Sequence, residues 1–128
     1  MRALDAVEMM KAKSSEPIRV GVLFSNTGVT SVIETSEKMG TLLAVEEIND
    51  AGGINGRELQ LISYDPQSRP ETYAALAKKL LLEDRVSVIL GCYMSSTRKA
   101  VIPVVERWGG LLLYPTLYEG FEYSRNVI

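Results

Sequence analysis

Four short apolar runs, separated by three stretches of helical periodicity, constrain this chain more than any other feature. The runs are Ile18–Phe24, Leu59–Tyr64, Val86–Leu90 and Leu111–Tyr114. Val20, Val22, Val86, Val88 and Ile89 give them the β-branched character that packs well on a pleated surface. The first, third and fourth are almost continuously apolar, the pattern of strands covered on both faces in a parallel sheet. Between the second and third, Tyr73, Leu76, Ala77, Leu80 and Leu81 recur at i, i+3, i+4, i+7 and i+8. That spacing predicts a helix over Pro70–Leu82 with one apolar stripe, capped by Ser68, with Pro70 and Glu71 in its first turn. An earlier helix is expected over about Ile33–Asn49, with Met39, Leu42, Leu43 and Ile48 turned inward and Glu34 and Glu37 near its positive end. Ala51-Gly52-Gly53 should stop it, because glycine readily takes the left-handed cap conformation. A third helix is expected over about Ser96–Trp108, where Pro103 lacks the amide a helix needs and predicts a kink or a late start.

Strand, helix, strand, helix, strand, helix, strand is the order of an α/β domain. It predicts a parallel sheet of about four strands in the order 2-1-3-4, with right-handed crossovers and helices on both faces. Residues 1–16 read as a tail or short helix outside this unit, and residues 17–128 as one ligand-binding lobe. After Glu119 the chain runs through Phe121 and Tyr123 to Ile128 as if another element were beginning, so the lobe is expected to be incomplete.

Composition removes several function classes. At 46% hydrophobic and 23% charged, the 128 residues suit one globular core. The net charge of -2 leaves no basic excess to draw a phosphate backbone, so nucleic acid is not an expected partner. Histidine is absent, which excludes histidine acid–base chemistry, Ser/His and Cys/His catalysis and most zinc sites within this chain. No metal and no cofactor are implied. The single cysteine, Cys92, cannot form an internal disulfide. No stretch approaches the roughly 18 apolar residues of a membrane span, and Met1–Glu16 lacks the run of about 7–15 apolar residues at the centre of a signal peptide. The expected compartment is cytoplasmic, with a periplasmic protein whose signal has been removed as the alternative.

In open α/β sheets a ligand sits beyond the carboxyl ends of the strands, where the strand order switches. With order 2-1-3-4 the switch lies between strands one and three. The loops Phe24–Gly28, Gly91–Thr97 and Tyr114–Glu119 converge there. They bring the hydroxyls of Ser25, Ser95, Ser96 and Thr116 and the rings of Tyr93, Tyr114 and Tyr118. The helix after strand three starts at the same place and offers its free amides. A neutral, hydrogen-bonding, aromatic set suits a small uncharged polar solute better than a phosphate. The plainer alternative is that Ser95 or Ser96 only caps the helix and the tyrosines only pack.

Other motifs weigh less. Ala51-Gly52-Gly53-Ile54-Asn55-Gly56 follows a helix and precedes a strand, the reverse of a dinucleotide fingerprint, so it reads as a helix stop and a tight turn. A phosphate-accepting receiver domain would need acidic residues where Phe24-Ser25 stand and an aspartate where Gly91-Cys92 stand. Cys92 has no histidine partner and reads as a small buried thiol. Cys92 with Glu119 raises an amide or nitrile hydrolase fragment of the nitrilase kind, but that chemistry needs a placed lysine and Lys99 lies a turn into the helix. Arg98 and Lys99 read as a solvated face or a contact between lobes. A ligand-free, self-associating α/β module is the third possibility.

The same loops carry a family pattern. Gly91-Cys92-Tyr93-Met94-Ser95-Ser96-Thr97-Arg98-Lys99 through Glu106, and Tyr114-Pro115-Thr116 through Tyr118-Glu119-Gly120-Phe121-Glu122-Tyr123-Ser124, resemble the aliphatic-amide sensor that regulates bacterial amidase operons. Leu23–Thr30 and Ala44–Asn49 through Gly52-Gly53 to Gly56-Arg57 match as well. The wider family is the type I periplasmic binding proteins, with urea and branched-chain amino-acid binders among them. The resemblance covers about Pro17 to the end and implies a ligand held between two lobes. It implies that Tyr93, Ser95, Tyr114 and Thr116 contact a small neutral amide or urea-like solute, and that a second lobe, outside these residues, supplies the opposite wall. It further implies an antiterminator partner for a sensor, or an ABC permease for a transporter. A lone lobe is expected to leave apolar surface uncovered and to form homo-oligomers.

Overall fold

The computed structural model describes residues 2–128, with side chains described at 2–9 and 15–128. A helix, α1 (Ala3–Ser15), precedes the sheet. Then follow β1 (Ile18–Leu23), α2 (Ser31–Asp50), β2 (Leu59–Tyr64), α3 (Pro70–Leu82), β3 (Val88–Gly91), α4 (Ser95–Trp108) and β4 (Leu111–Leu113). Every strand pair is parallel, and the order is β2-β1-β3-β4 as expected. With right-handed crossovers this order puts α3 and α4 on one face and α2 on the other.

The core lies on the α3–α4 face. Leu23, Ile89 and Leu112 project from β1, β3 and β4 onto Tyr73, Ala77, Leu80 and Leu81 of α3 and Val101 and Val105 of α4. All of these are buried, so the stripe expected on α3 is the stripe that packs. The other face carries Val22, which is buried, and Ile18, Val20, Leu59, Leu61, Val88, Leu90, Leu111 and Leu113, which are half-buried.

α2 corrects the sequence reading. Met39, Leu42, Leu43 and Ile48, expected inward, are exposed, with Met39 at 61% and Leu43 at 57%. The stripe turned inward is Glu34, Glu37, Lys38, Thr41, Val45 and Asn49. Hydrogen bonds fix this rotation. The Asn49 side-chain amide donates to the Leu59 carbonyl at 3.0 Å and accepts from the Leu59 amide at 2.8 Å. Glu34 is completely buried.

The helix ends follow the sequence more closely. α2 stops at Ala51-Gly52-Gly53, where the Gly53 amide bonds back to the Ile48 carbonyl. A Cβ on Gly53 would stand 2.0 Å from the Arg57 carbonyl oxygen, so only glycine fits this tight turn. Ser68 does not cap α3: Arg69 holds the cap position without a side-chain bond among the described residues. The Ser68 amide instead donates to Ser25 Oγ at 2.8 Å, and its hydroxyl donates to the Thr27 carbonyl at 3.1 Å. α4 begins at Ser95 and continues through Pro103, so the late start does not occur. Pro103 sits on the exposed side, where water can serve the carbonyl it leaves unpaired. Past β4 the chain returns alongside it. Leu112 receives a bond from Ile128 and donates to Asn126, and Tyr114 donates to Ile128 at 2.8 Å.

Candidate functional site

The strand order places the ends of β1, β3 and β4 side by side. β1 and β3 approach closely because Gly91 has no side chain: a Cβ there would stand 2.4 Å from the Leu23 carbonyl oxygen. The chain then turns through Cys92, held at φ 71° with its amide bonded to that same carbonyl at 3.0 Å. This turn delivers Tyr93 and Met94 to the rim and starts α4 at Ser95. The amides of Thr97 and Arg98 both close on the Met94 carbonyl. Those of Ser95 and Ser96 precede these first bonds, so they present the positive end of the helix.

A cleft of about 390 Å³ lies here, between the β3–α4 turn and the segment after β4. Five of the seven expected residues line it: Tyr93, Ser95, Tyr114, Thr116 and Tyr118, joined by Met94, Leu117 and Glu119. The Tyr114 hydroxyl lies 2.8 Å from the Tyr93 carbonyl and 3.2 Å from that of Leu117, which ties the two walls together. Ser96 is exposed and stands just outside the lining. Neither Ser95 nor Ser96 caps α4; Met94 holds that position.

Ser25 is placed elsewhere. It is fully buried, and its hydroxyl is committed to Tyr73 at 2.8 Å and to the Ser68 amide. Its own amide donates to Glu34 at 3.1 Å. Tyr73 and Thr30 also donate to the Glu34 carboxylate. Asp65 adds a second tie, accepting from the Asn26 amide at 2.9 Å and the Thr27 hydroxyl at 2.7 Å. Against the cost of burial, bonds from Thr27, Gln67 and Asn26 hold the Asp65 carboxyl below its ordinary value. These contacts fasten the loop after β1 to the loop after β2 and use up the Ser25 donor and acceptor.

The electrostatics rest on Arg98, which sequence reasoning assigned to a solvated face or a lobe contact. It is 1% exposed. Its Nη2 donates to Glu119 at 2.6 Å and its Nε to Glu122 at 2.8 Å. Its guanidinium lies 4.9 Å from the Tyr114 ring centre and 5.2 Å from that of Tyr118. A buried cation is tolerated only when paired in this way. The pairing fastens the Glu119–Glu122 stretch after β4 to the first turn of α4. The Arg98 bond, with the Ser95 hydroxyl, holds the Glu119 carboxyl down to about 2. Lys99 stays exposed, 3.9 Å from Glu119. Glu119 and Glu122 stand three apart in the sequence, but nothing in that spacing names Arg98 as their shared partner.

Cys92 is fully buried, and burial pushes its thiol well above the ordinary value. A thiol in that state is a poor nucleophile. Among the described residues no group of three His, Cys, Asp or Glu could hold a metal ion. The arrangement brings hydroxyls, rings and a helix start together around one cleft.

Residues 18–128 match the family model described as a periplasmic binding protein domain. The chain is 29% identical over 103 residues to the leucine-, isoleucine-, valine-, threonine- and alanine-binding protein of Pseudomonas aeruginosa, covering 80% of this chain and 27% of that protein. It is 31% identical over 101 residues to the Leu/Ile/Val-binding protein of Escherichia coli K12, covering 79% and 27%. It superposes with a TM-score of 0.78 and 30% identity on the branched-chain amino acid transporter substrate-binding protein LivJ of Streptococcus pneumoniae, solved with isoleucine, covering 81% and 30%. The chain thus spans less than a third of the length of these relatives.

Proposed function

Since the chain belongs to the periplasmic binding protein family, of the Leu/Ile/Val-binding kind, we propose that its cleft binds a small neutral amide or urea-like solute without transforming it. The observation that carries this reading is the lining. Tyr93, Ser95, Tyr114 and Thr116 come together at the helix start, while the buried cation beside them is already paired. The helix amides suit a carbonyl oxygen, and the rings suit a small planar group, while the Ser95 and Tyr114 hydroxyls already donate within the chain and position the walls. The runs around Cys92–Ser95 and Tyr118–Tyr123 favour an amide by their resemblance to amide sensors. Residues 17–128 form the ligand-binding lobe in this reading, with α1 outside it.

The proposed setting is transport. Relatives named as transporter substrate-binding proteins favour an ABC permease over an antiterminator as partner, and the periplasm over the cytoplasm. No described helix is long and apolar enough to cross a membrane. A second reading, binding of a branched-chain amino acid, is favoured by the ligands printed in the relatives' names.

Acetamide has few heavy atoms. A ceiling of about -1.5 kcal/mol for each of its roughly four gives at best about -6 kcal/mol, a Kd of tens of micromolar. A single lobe supplies only part of the contacts, so calorimetry on the 128-residue chain should give millimolar acetamide and urea affinity and weaker isoleucine binding, and an ammonia assay should detect no release. Isoleucine binding tighter than acetamide would move the assignment to amino acids. Ammonia release would move it to hydrolysis.

A further inference from the structure

We infer that Glu119 sets the preference of this cleft for an uncharged solute over a carboxylate. The inference deepens the proposed amide-binding reading and rests on it. Glu119 lines the cleft, and its Oε2 accepts from the Ser95 hydroxyl at 2.9 Å. Its Oε1 accepts from Arg98 Nη2 at 2.6 Å. The side chain is 47% exposed, so it faces an incoming molecule. Ser95 is the first residue of α4, where the unpaired amides would otherwise favour an anion. Beside that place stands a carboxylate belonging to the chain, held by the Ser95 hydroxyl and Arg98.

The neighbouring charges offer an anion little in exchange: Arg98 Nη1 has no hydrogen-bond partner among the described residues, but it is buried, and the guanidinium charge is already paired twice. Arg98 is shared between Glu119 and Glu122, and Lys99 stands 3.9 Å from Glu119. Two cations thus face two carboxylates, and no net positive charge remains. A ligand carboxylate entering beside Ser95 would meet Glu119 at close range. An amide of the same shape avoids the repulsion, and its NH₂ can donate to Glu119. An amino acid brings an ammonium as well as a carboxylate, so acetamide and acetate, equal in shape and different in charge, are the clean probes.

The test is a pair of titrations of the ¹⁵N-labelled chain at pH 7 and constant ionic strength. Acetamide should shift the amides of Ser95, Ser96, Thr116 and Glu119, and acetate should bind about tenfold more weakly, as expected for like charges about 3 Å apart that water screens at this half-exposed position. In Glu119→Gln the two affinities should come within about threefold. Glu122→Gln, which removes the same charge from Arg98 without touching Ser95, should keep the wild-type ratio within about twofold. Equal binding of acetate and acetamide by the wild type overturns the inference while leaving the amide reading intact, and this holds whether or not either variant folds. A Glu119→Gln ratio unchanged from wild type, or a Glu122→Gln variant relaxed just as far, also overturns it. Silence of the cleft amides toward acetamide overturns both this inference and the function it rests on.

Discussion

Glu37 carries an unusual load for a residue on a solvent-flanked helix. Its Oε2 is buried and makes no hydrogen bond among the described residues. Burial, with Glu34 one turn away, pushes its carboxyl from 4.5 up to about 7. A carboxyl whose folded value is raised binds its proton more tightly in the native state. The native state is therefore favoured below about pH 4.5, and that advantage is lost as pH rises to about 7. Asp65 and Glu119 are shifted the other way and act only at lower pH. Urea unfolding at pH 5 and pH 8 should show lower stability at pH 8, and Glu37→Gln should flatten the difference. A variant that keeps the full slope contradicts the assignment. Ser25 shows what single residues conceal in a sequence. Its position at the end of β1 was legible, but the direction of its hydroxyl is decided by Tyr73 and Ser68, 48 and 43 residues away.

Among the elements, α3 and α2 differ in what sets their orientation. α3 is held by apolar burial, and its stripe could be counted from the spacing of Tyr73, Ala77, Leu80 and Leu81. α2 is held by Glu34 and Asn49, polar residues bonded to Ser25, Thr30, Tyr73 and the Leu59 backbone. Hydrophobic periodicity is blind to that mode of docking, so its apolar residues were assigned to the wrong side. They form an exposed flank of Met39, Leu42 and Leu43. Such a flank favours association between copies. Light scattering on the concentrated chain should give a mass above 14.1 kDa. Leu43→Glu should lower that mass while changing stability by under about 0.5 kcal/mol, as for an exposed position. A wild-type monomer at high concentration contradicts the expectation. A Leu43→Glu variant that unfolds contradicts the exposed placement.

At the scale of the whole molecule, the alternation of apolar runs and helical spacings was enough to read the parallel sheet and its order, and the switch-point rule then led to the cleft. The charge arrangement was out of reach, because Arg98 meets Glu119 and Glu122 only after β4 has been laid beside β3. The same pairing brings the segment after β4 over the start of α4 and so builds the second wall of the cleft. The most direct test is an amide-shift map of the ¹⁵N-labelled chain saturated with acetamide. Binding between the β3–α4 turn and the segment after β4 predicts shifts concentrated at residues 93–96 and 114–119, with Ser25, Thr27 and Ser68 unmoved. Shifts centred on the Ser25–Tyr73 network, or none at acetamide concentrations of hundreds of millimolar, would contradict the account.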